Sequence, residues 1–239
     1  MKEIHSDISV DVIMACFNCE QTVMKAISSI LETRINVRLM VIDDCSTDST
    51  FEILSLIDDP RVKVFRNLVN LGLSNSLNIL IEKSNAKYIA RMDADDVVVN
   101  NRFERQVEFL EKNKGIDVCG TWALGKHSDG SEVLLKRPLL HKDLMDKMHI
   151  RPPFIHPTVM AKSGFFRKNQ YDVRFRRAQD WELFSRRPDL YCYANLDFVG
   201  LEYMVSSGLS FKSLPIRYLA ALLASYRSGK FIYGIVINS

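Results

Sequence analysis

Two runs of carboxylates carry the clearest chemistry in the sequence: Asp43-Asp44-Cys45-Ser46-Thr47-Asp48 and Asp93-Ala94-Asp95-Asp96. Negative charge packed this closely is costly unless a cation or a set of donors compensates it. A divalent ion is one solution, and Mg2+ or Mn2+ takes a few carboxylates together with phosphate oxygens and water. An ion held there can neutralise a diphosphate leaving group. Each run taken singly also fits a plainer account, because Asp and Ser favour turns and helix caps. Asp48 or Ser49 would then simply cap a helix. A third stretch runs from Asn70 through Gly72 to Asn78. Gly72 permits close backbone approach, and a helix starting after it could aim amides at an anion. An ordinary capped loop accounts for that stretch equally well.

The elements around these residues follow a regular pattern. Residues 10–16, 37–42, 62–65 and 88–92 read as short buried strands. Between them lie helical spacings: Val23, Ile27, Ile30 and Leu31, then residues 51–57, then Leu73, Leu77, Leu80 and Ile81. A fourth helix carries Phe103, Val107 and Leu110. Asn18 with Gln21, Ser49 with Glu52, and Asn101 with Glu104 have the spacing of capping boxes. Alternating strand and helix predicts an α/β fold with a mostly parallel sheet and right-handed crossovers. Ligands in such sheets bind beyond the carboxyl ends of the strands. Both acidic runs follow a strand directly.

After Trp122 the pattern becomes mixed. Ser128-Asp129-Gly130 predicts a hairpin between residues 121–125 and 132–135. A short helix over 141–148, a Pro152-Pro153 loop, a strand over 158–161 and a helix from about 180 to 186 follow. One domain is expected over residues 1–205, then a basic, apolar helical tail over 206–239. The tail holds Lys212, Arg217, Arg227 and Lys230 and no acidic residue. Such a segment suits a membrane interface, or packing on the domain.

Composition excludes several classes. Apolar residues at 47% and charged ones at 26% are ordinary globular usage, unlike disordered, collagenous or coiled-coil chains. With 32 basic against 29 acidic residues, nucleic acid is not an expected partner. Five cysteines make no disulfide scaffold and point to a reducing, cytoplasmic setting. Cys16-Phe17-Asn18-Cys19 lacks the second pair a zinc site needs, so its thiols are expected to be packed at a strand–helix turn. No run of about 18 apolar residues marks a membrane span. Residues 1–7 have no apolar run after Lys2 and do not read as a signal peptide.

The order of motifs resembles a known family. A turn containing Asn18 leads to Asp43-Asp44-x-Ser46-Thr47-Asp48. Asn70-x-Gly72 and Asn78 follow, then Arg91-Met92-Asp93-Ala94-Asp95-Asp96. From about residue 10 to 186 this is similar to the bacterial family 2 glycosyltransferases, inverting enzymes of the GT-A fold. The resemblance implies a Rossmann-like nucleotide-diphospho-sugar transferase fold. It implies that Asp43 and Asp44 contact the nucleobase, Asp44 foremost, and that Asn70 belongs to the donor site. It places Asp93 near ribose and metal, Asp95 on Mn2+ or Mg2+ bridging the diphosphate, and Asp96 at the sugar or behind the metal. Asp180 matches the general base, with Gln179 where many relatives have an acid. Glu182 is a weaker candidate, turned away by helical spacing. Asp180 on its own would also suit a helix N-terminus. His156 matches a residue near the donor. Leu77 stands where many members have arginine.

The implied reaction is metal-dependent, inverting transfer from a nucleotide-sugar, UDP-sugar favoured, to an acceptor hydroxyl. A lipid-linked acceptor in surface polysaccharide assembly (O-antigen or capsule) is expected, at the inner face of the cell membrane. A sugar nucleotidyltransferase would want a Gly-rich basic loop that Ala15-Cys16-Phe17-Asn18 does not supply. The alternative is a catalytically inactive nucleotide-sugar-binding subunit.

Overall fold

β1 (Val10–Cys16) sends Val10, Val12, Met14 and Cys16 to one face of a sheet and Ile13 to the other. That is the period-two pattern of a strand buried on both sides. The computed structural model describes residues 9–205. α1 (Val23–Leu31) buries Val23, Ala26, Ile27 and Ile30 along one stripe. β2 (Val37–Asp43), α2 (Thr50–Ser55), β3 (Val62–Arg66), α3 (Leu73–Lys83) and β4 (Tyr88–Asp93) continue the alternation. β5 (Val97–Val98), α4 (Arg102–Lys112), β6 (Val118–His127), β7 (Glu132–Leu135) and α5 (His141–Lys147) follow. A single 3-10 turn (His156–Thr158), β8 (Met160–Lys162), α6 (Ser163–Lys168), α7 (Gln179–Ser185) and β9 (Tyr193–Val205) complete the described chain.

The strand order is β3-β2-β1-β4-β8-β6-β9-β5, with β7 paired to β6. The first four strands are mutually parallel. β8 runs antiparallel to both β4 and β6, and β9 runs parallel to β6. The chain steps outward from β1 to β3 and then returns across β1 to β4. The order therefore reverses at β1, the place where open α/β sheets bind ligands. Register puts Cys16 opposite Asp43 and Ala15 opposite Asp93. Both acidic runs thus leave the same sheet edge, one on each side of β1. Two apolar clusters cover the two faces, one under α1, α2 and α4, the other under α3, α6 and α7.

Several expectations are corrected. None of Asn18, Ser49 and Asn101 makes a side-chain cap bond. Asn18 lies in the left-handed region (φ 50°), before the helix, and its side chain accepts from the Thr47 amide at 2.9 Å. Glu104 leaves its own helix end to accept from Thr33 and the Arg34 amide. The expected strand at 158 begins instead at Met160, because Pro157 opens the 3-10 turn and Thr158 Oγ1 bonds back to the Ile155 carbonyl. The basic tail and the first eight residues lie outside the described residues.

Candidate active site

Asp93 stands between two clefts. One, of about 630 Å3, is lined by Phe17, Asn18, Glu20, Asp48, Asp93 and Asp95. The other, of about 380 Å3, holds Arg91, Asp93, Arg137, His156, Asp180 and Tyr203.

The first cleft is built by cross-bonding two strand–helix turns. The Glu20 amide donates to Asp48 at 3.2 Å, and the Ser49 amide donates to Glu20 at 2.8 Å. The Asn18 amide donates to Ser46 Oγ at 3.0 Å. Asp43 and Asp44 spend their carboxylates below these turns. Asp43 accepts from the Ser46 amide and pairs with Arg66 at 3.3 Å. Asp44 accepts from Asn67 at 2.7 Å, the Leu71 amide at 2.9 Å and the Gly72 amide at 2.8 Å. Asn70 donates to the Asp44 carbonyl at 3.2 Å. Gly72, at φ 83°, lets the backbone turn into that clamp. Asn70 itself opens onto a separate cleft of about 400 Å3 shared with Gly72 and Arg176. The expected donor residues are therefore distributed over neighbouring surfaces of one edge.

Asp93, Asp95 and Asp96 each offer one oxygen to a set lying within 4.8 Å of one another. Asp93 is held by an ion pair with the buried Arg91. Asp96 is fully buried; one oxygen accepts from the Met204 amide at 2.9 Å, and the other is buried with no partner among the described residues. Burial, and then the charge of Asp93, push the Asp96 carboxyl up to about 8. Loss of solvent, and then Asp93, raise Asp95 as well. An orphaned buried carboxylate oxygen in an all-oxygen trio fits a hard divalent cation.

Asp180 sits in the first turn of α7, after Ala178 in the left-handed region (φ 57°). Burial raises its pKa, against the pull of Arg91 and Arg137. Glu182 points elsewhere, buried in a two-bond pair with Arg186. His156 shares a 2.7 Å hydrogen bond with the Tyr171 hydroxyl. Burial, and then Arg91, push its pKa well down, so the ring is neutral. The Tyr171 backbone in turn exchanges two bonds with the Asn78 side chain of α3, its amide donating to Oδ1 and its carbonyl accepting from Nδ2. The structure brings Asp93, His156 and Asp180 to one cleft. Arg137, Tyr171 and Tyr203 share that region, and no motif or spacing marked them beforehand. Arg91 was legible only as a neighbour of the acidic motif. The thiols of Cys16 and Cys19 are free.

The glycosyl transferase family 2 model matches residues 11–174. The chain belongs to that family, and its fold is that of the GT-A glycosyltransferases. An uncharacterized glycosyltransferase of Haemophilus influenzae is 34% identical over 201 residues, 78% of this chain and 62% of the relative. The chain thus spans about three-fifths of that relative's length. The Escherichia coli UDP-Glc:alpha-D-GlcNAc-diphosphoundecaprenol beta-1,3-glucosyltransferase WfaP is 32% identical over 106 residues, 44% of this chain and 42% of that one. S. aureus TarS 1–349 in complex with UDP-GlcNAc superposes with a TM-score of 0.72 at 17% identity, over 92% of this chain and 66% of the other. A Pyrobaculum calidifontis mannosyltransferase in complex with GDP-Man and Mn2+ gives 0.69 at 14% identity, over 93% and 64%. No helix among the described residues is long and apolar enough to cross a membrane.

Proposed function

We infer that the protein transfers a sugar from a nucleotide-diphosphate donor, UDP-sugar favoured, to a hydroxyl of a lipid-linked acceptor, with inversion. The observation that carries this reading is the meeting of two clefts at Asp93, one edged by Asp93 and Asp95 with Asp96 buried behind them, the other holding Asp180. Bacterial surface polysaccharide assembly at the inner membrane face is the setting we propose, supported by the diphospho-lipid acceptor in WfaP's name.

In this reading Asp43, Asp44 and Asn70 shape the nucleobase end, Asp44 through the loop it clamps. Asp93 and Asp95, with Asp96 behind them, would hold Mn2+ or Mg2+. Bound there, the ion would supply Lewis-acid neutralisation of diphosphate charge. Arg91 fixes Asp93. His156, neutral and tethered by Tyr171, presents a fixed polar edge beside the donor sugar. The acceptor oxygen attacks the anomeric carbon as the carbon–phosphate-oxygen bond breaks. Asp180 takes the hydroxyl proton, and its raised pKa brings it nearer the operating pH of a general base. One base and a departing diphosphate suffice for inversion.

Calorimetric titration of UDP with and without Mn2+, on wild type and Asp95→Ala, tests the reading. Metal-dependent binding lost in Asp95→Ala is the expected result. Absence of binding for UDP, GDP, dTDP and CMP alike, with lipid present, would sink it. Transfer that survives Asp180→Asn would remove Asp180 from its role.

A further inference from the structure

Arg137 has an unusual setting for an arginine on a cleft wall. It follows β7, and its own backbone is pinned, since Trp122 Nε1 donates to its carbonyl at 3.1 Å. Its guanidinium donates to the carbonyls of Pro152 at 3.2 Å and Lys136 at 3.1 Å. Among the described residues it makes no ion pair with a carboxylate. Arg151 precedes Pro152, so the bond to the Pro152 carbonyl brings the Arg137 guanidinium within electrostatic reach of Arg151. Arg151 likewise has no side-chain partner among the described residues. Asn195 on β9 straps the two segments together, donating to the carbonyls of Pro138 at 2.8 Å and Pro153 at 3.1 Å. The mount is therefore rigid on both sides. Burial, and then the charge of Arg151, depress the pKa of Arg137, which is the signature of a cation without its counter-ion.

The carboxylates of the same cleft do not supply that counter-ion. Asp93 is engaged with Arg91. Asp180 lies within electrostatic reach of Arg137 but makes no hydrogen bond or ion pair with it among the described residues, and its own pKa is raised rather than lowered. A planar guanidinium with donors in a fixed fork matches phosphate oxygens.

We propose that Arg137, with Arg151 beside it, is a phosphate-binding subsite for the acceptor, reading a phosphate or diphosphate that joins the acceptor sugar to its carrier. The subsite rests on the transferase reading for the word acceptor; its anion chemistry stands on the two arginines. Arg137 lines the cleft that holds Asp180, whereas Asp95 lines only the other cleft, and Asp93 stands between them. An acceptor anchored there by its phosphate would present a sugar hydroxyl toward Asp180. A neutral glycan of the same sugar would lack the anchor.

The test is a titration of the full 239-residue chain, free of divalent metal, with farnesyl phosphate, phenyl phosphate and farnesol. Farnesyl phosphate should bind at least tenfold more tightly than farnesol. Arg137→Gln and Arg151→Gln should each weaken it about tenfold or more, the scale of a lost charge-assisted hydrogen bond. Arg137→Lys should recover part of the loss. Phenyl phosphate binding as tightly as farnesyl phosphate assigns the phosphate to a soluble acceptor; a clear preference for farnesyl phosphate assigns it to a lipid carrier. Either supports the subsite. Arg151→Gln removes no hydrogen bond present in the structure, so it reads the proposal even if Arg137→Gln folds poorly. UDP with Mn2+ should bind both glutamine variants within twofold of wild type. Phosphate affinity unchanged in both variants overturns the proposal. So does a parallel loss of UDP affinity, which would give the arginines to the donor diphosphate. If UDP fails to bind wild type, the transferase reading falls alone, and the phosphate titration still decides the subsite.

Discussion

A carboxyl group with one oxygen on the Met204 amide and the other sealed from water is costly to ionise. In Asp96 the consequence is a folded pKa of about 8, against 3.8 for an ordinary aspartate. Between those values the metal-free native chain keeps a proton that the unfolded chain has released. Stability of the metal-free protein therefore falls as pH rises through that window. His156 acts in the opposite sense: its depressed pKa makes the native ring shed its proton first, which favours folding as pH rises. The diagnostic is the difference between wild type and Asp96→Asn in melting temperature from about pH 5 to about pH 8. The wild type should lose more on going alkaline, and saturating Mn2+ should close the gap. Parallel profiles without metal would refute the buried-proton account. Asp180 gives a second expectation. Its raised pKa should place the acid limb of kcat/KM above the range of a free aspartate. Asp180→Asn should lower transfer about 10²- to 10⁴-fold, the usual contribution of a general base, with UDP affinity unchanged. Candidates of this kind were legible because two acidic runs, each ordinary at a turn when taken singly, follow two strands of one expected sheet. The use of each was not. The three donors that Asp44 accepts come from residues 67–72, and only the fold brings that loop beneath it. Arg137 sits in an Arg-Pro step with no motif around it, so nothing in its spacing marked it.

At the scale of elements, the parallel half of the sheet was readable because its strands are buried on both faces and its helices carry clean apolar stripes. Two of the three capping pairs, those of Asn18 and Glu104, failed for a common reason. Their side chains are recruited across turns, Asn18 to Thr47 and Glu104 to Thr33 and Arg34, and such partners are 29 to 71 residues away. β9 escaped notice because its alternation is broken. Its register against β6 shifts twice around Trp122, which throws the inward positions out of period two. That pairing also contains a tight spot that exposes how the cleft wall is held. A Cβ on Gly120 would run into the Asn195 side chain and come within 2.8 Å of Phe154. Asn195 is the residue strapping the Arg137 and Pro153 segments together. Gly120→Ala should therefore destabilise the protein by about 1–3 kcal/mol, the usual cost of overpacking. It should also lower transfer by more than the lost folded fraction explains. Urea unfolding together with activity at full occupancy of the native state measures both. Unchanged activity per folded molecule would show that the strap does not position the cleft.

At the scale of the whole molecule, the decisive feature is the return of the chain across β1. It sets the carboxyl ends of β1, β2 and β4 side by side and so turns two separate sequence motifs into one edge. Alternation of strand and helix made such an edge predictable, whereas the antiparallel extension through β8, β6 and β9 follows from pairings too distant to read. Beyond that sheet the sequence adds residues 206–239, with Lys212, Arg217, Arg227 and Lys230 among apolar runs and no acidic residue. We propose that this segment meets an anionic membrane surface, which would hold the enzyme where a lipid-linked acceptor resides. Each basic residue near such a surface contributes roughly 1 kcal/mol, so four together are a strong, salt-sensitive term. Converting all four to Gln in the full chain should weaken sedimentation with phosphatidylserine vesicles at least about tenfold. Wild-type binding should fall with added salt and be much weaker on uncharged vesicles. UDP binding with Mn2+ should be unaffected, because the residues proposed for the donor edge all lie within 9–205. Equal vesicle binding by wild type and the four-Gln variant would remove the electrostatic contact. The apolar runs would then be left to pack against protein rather than lipid.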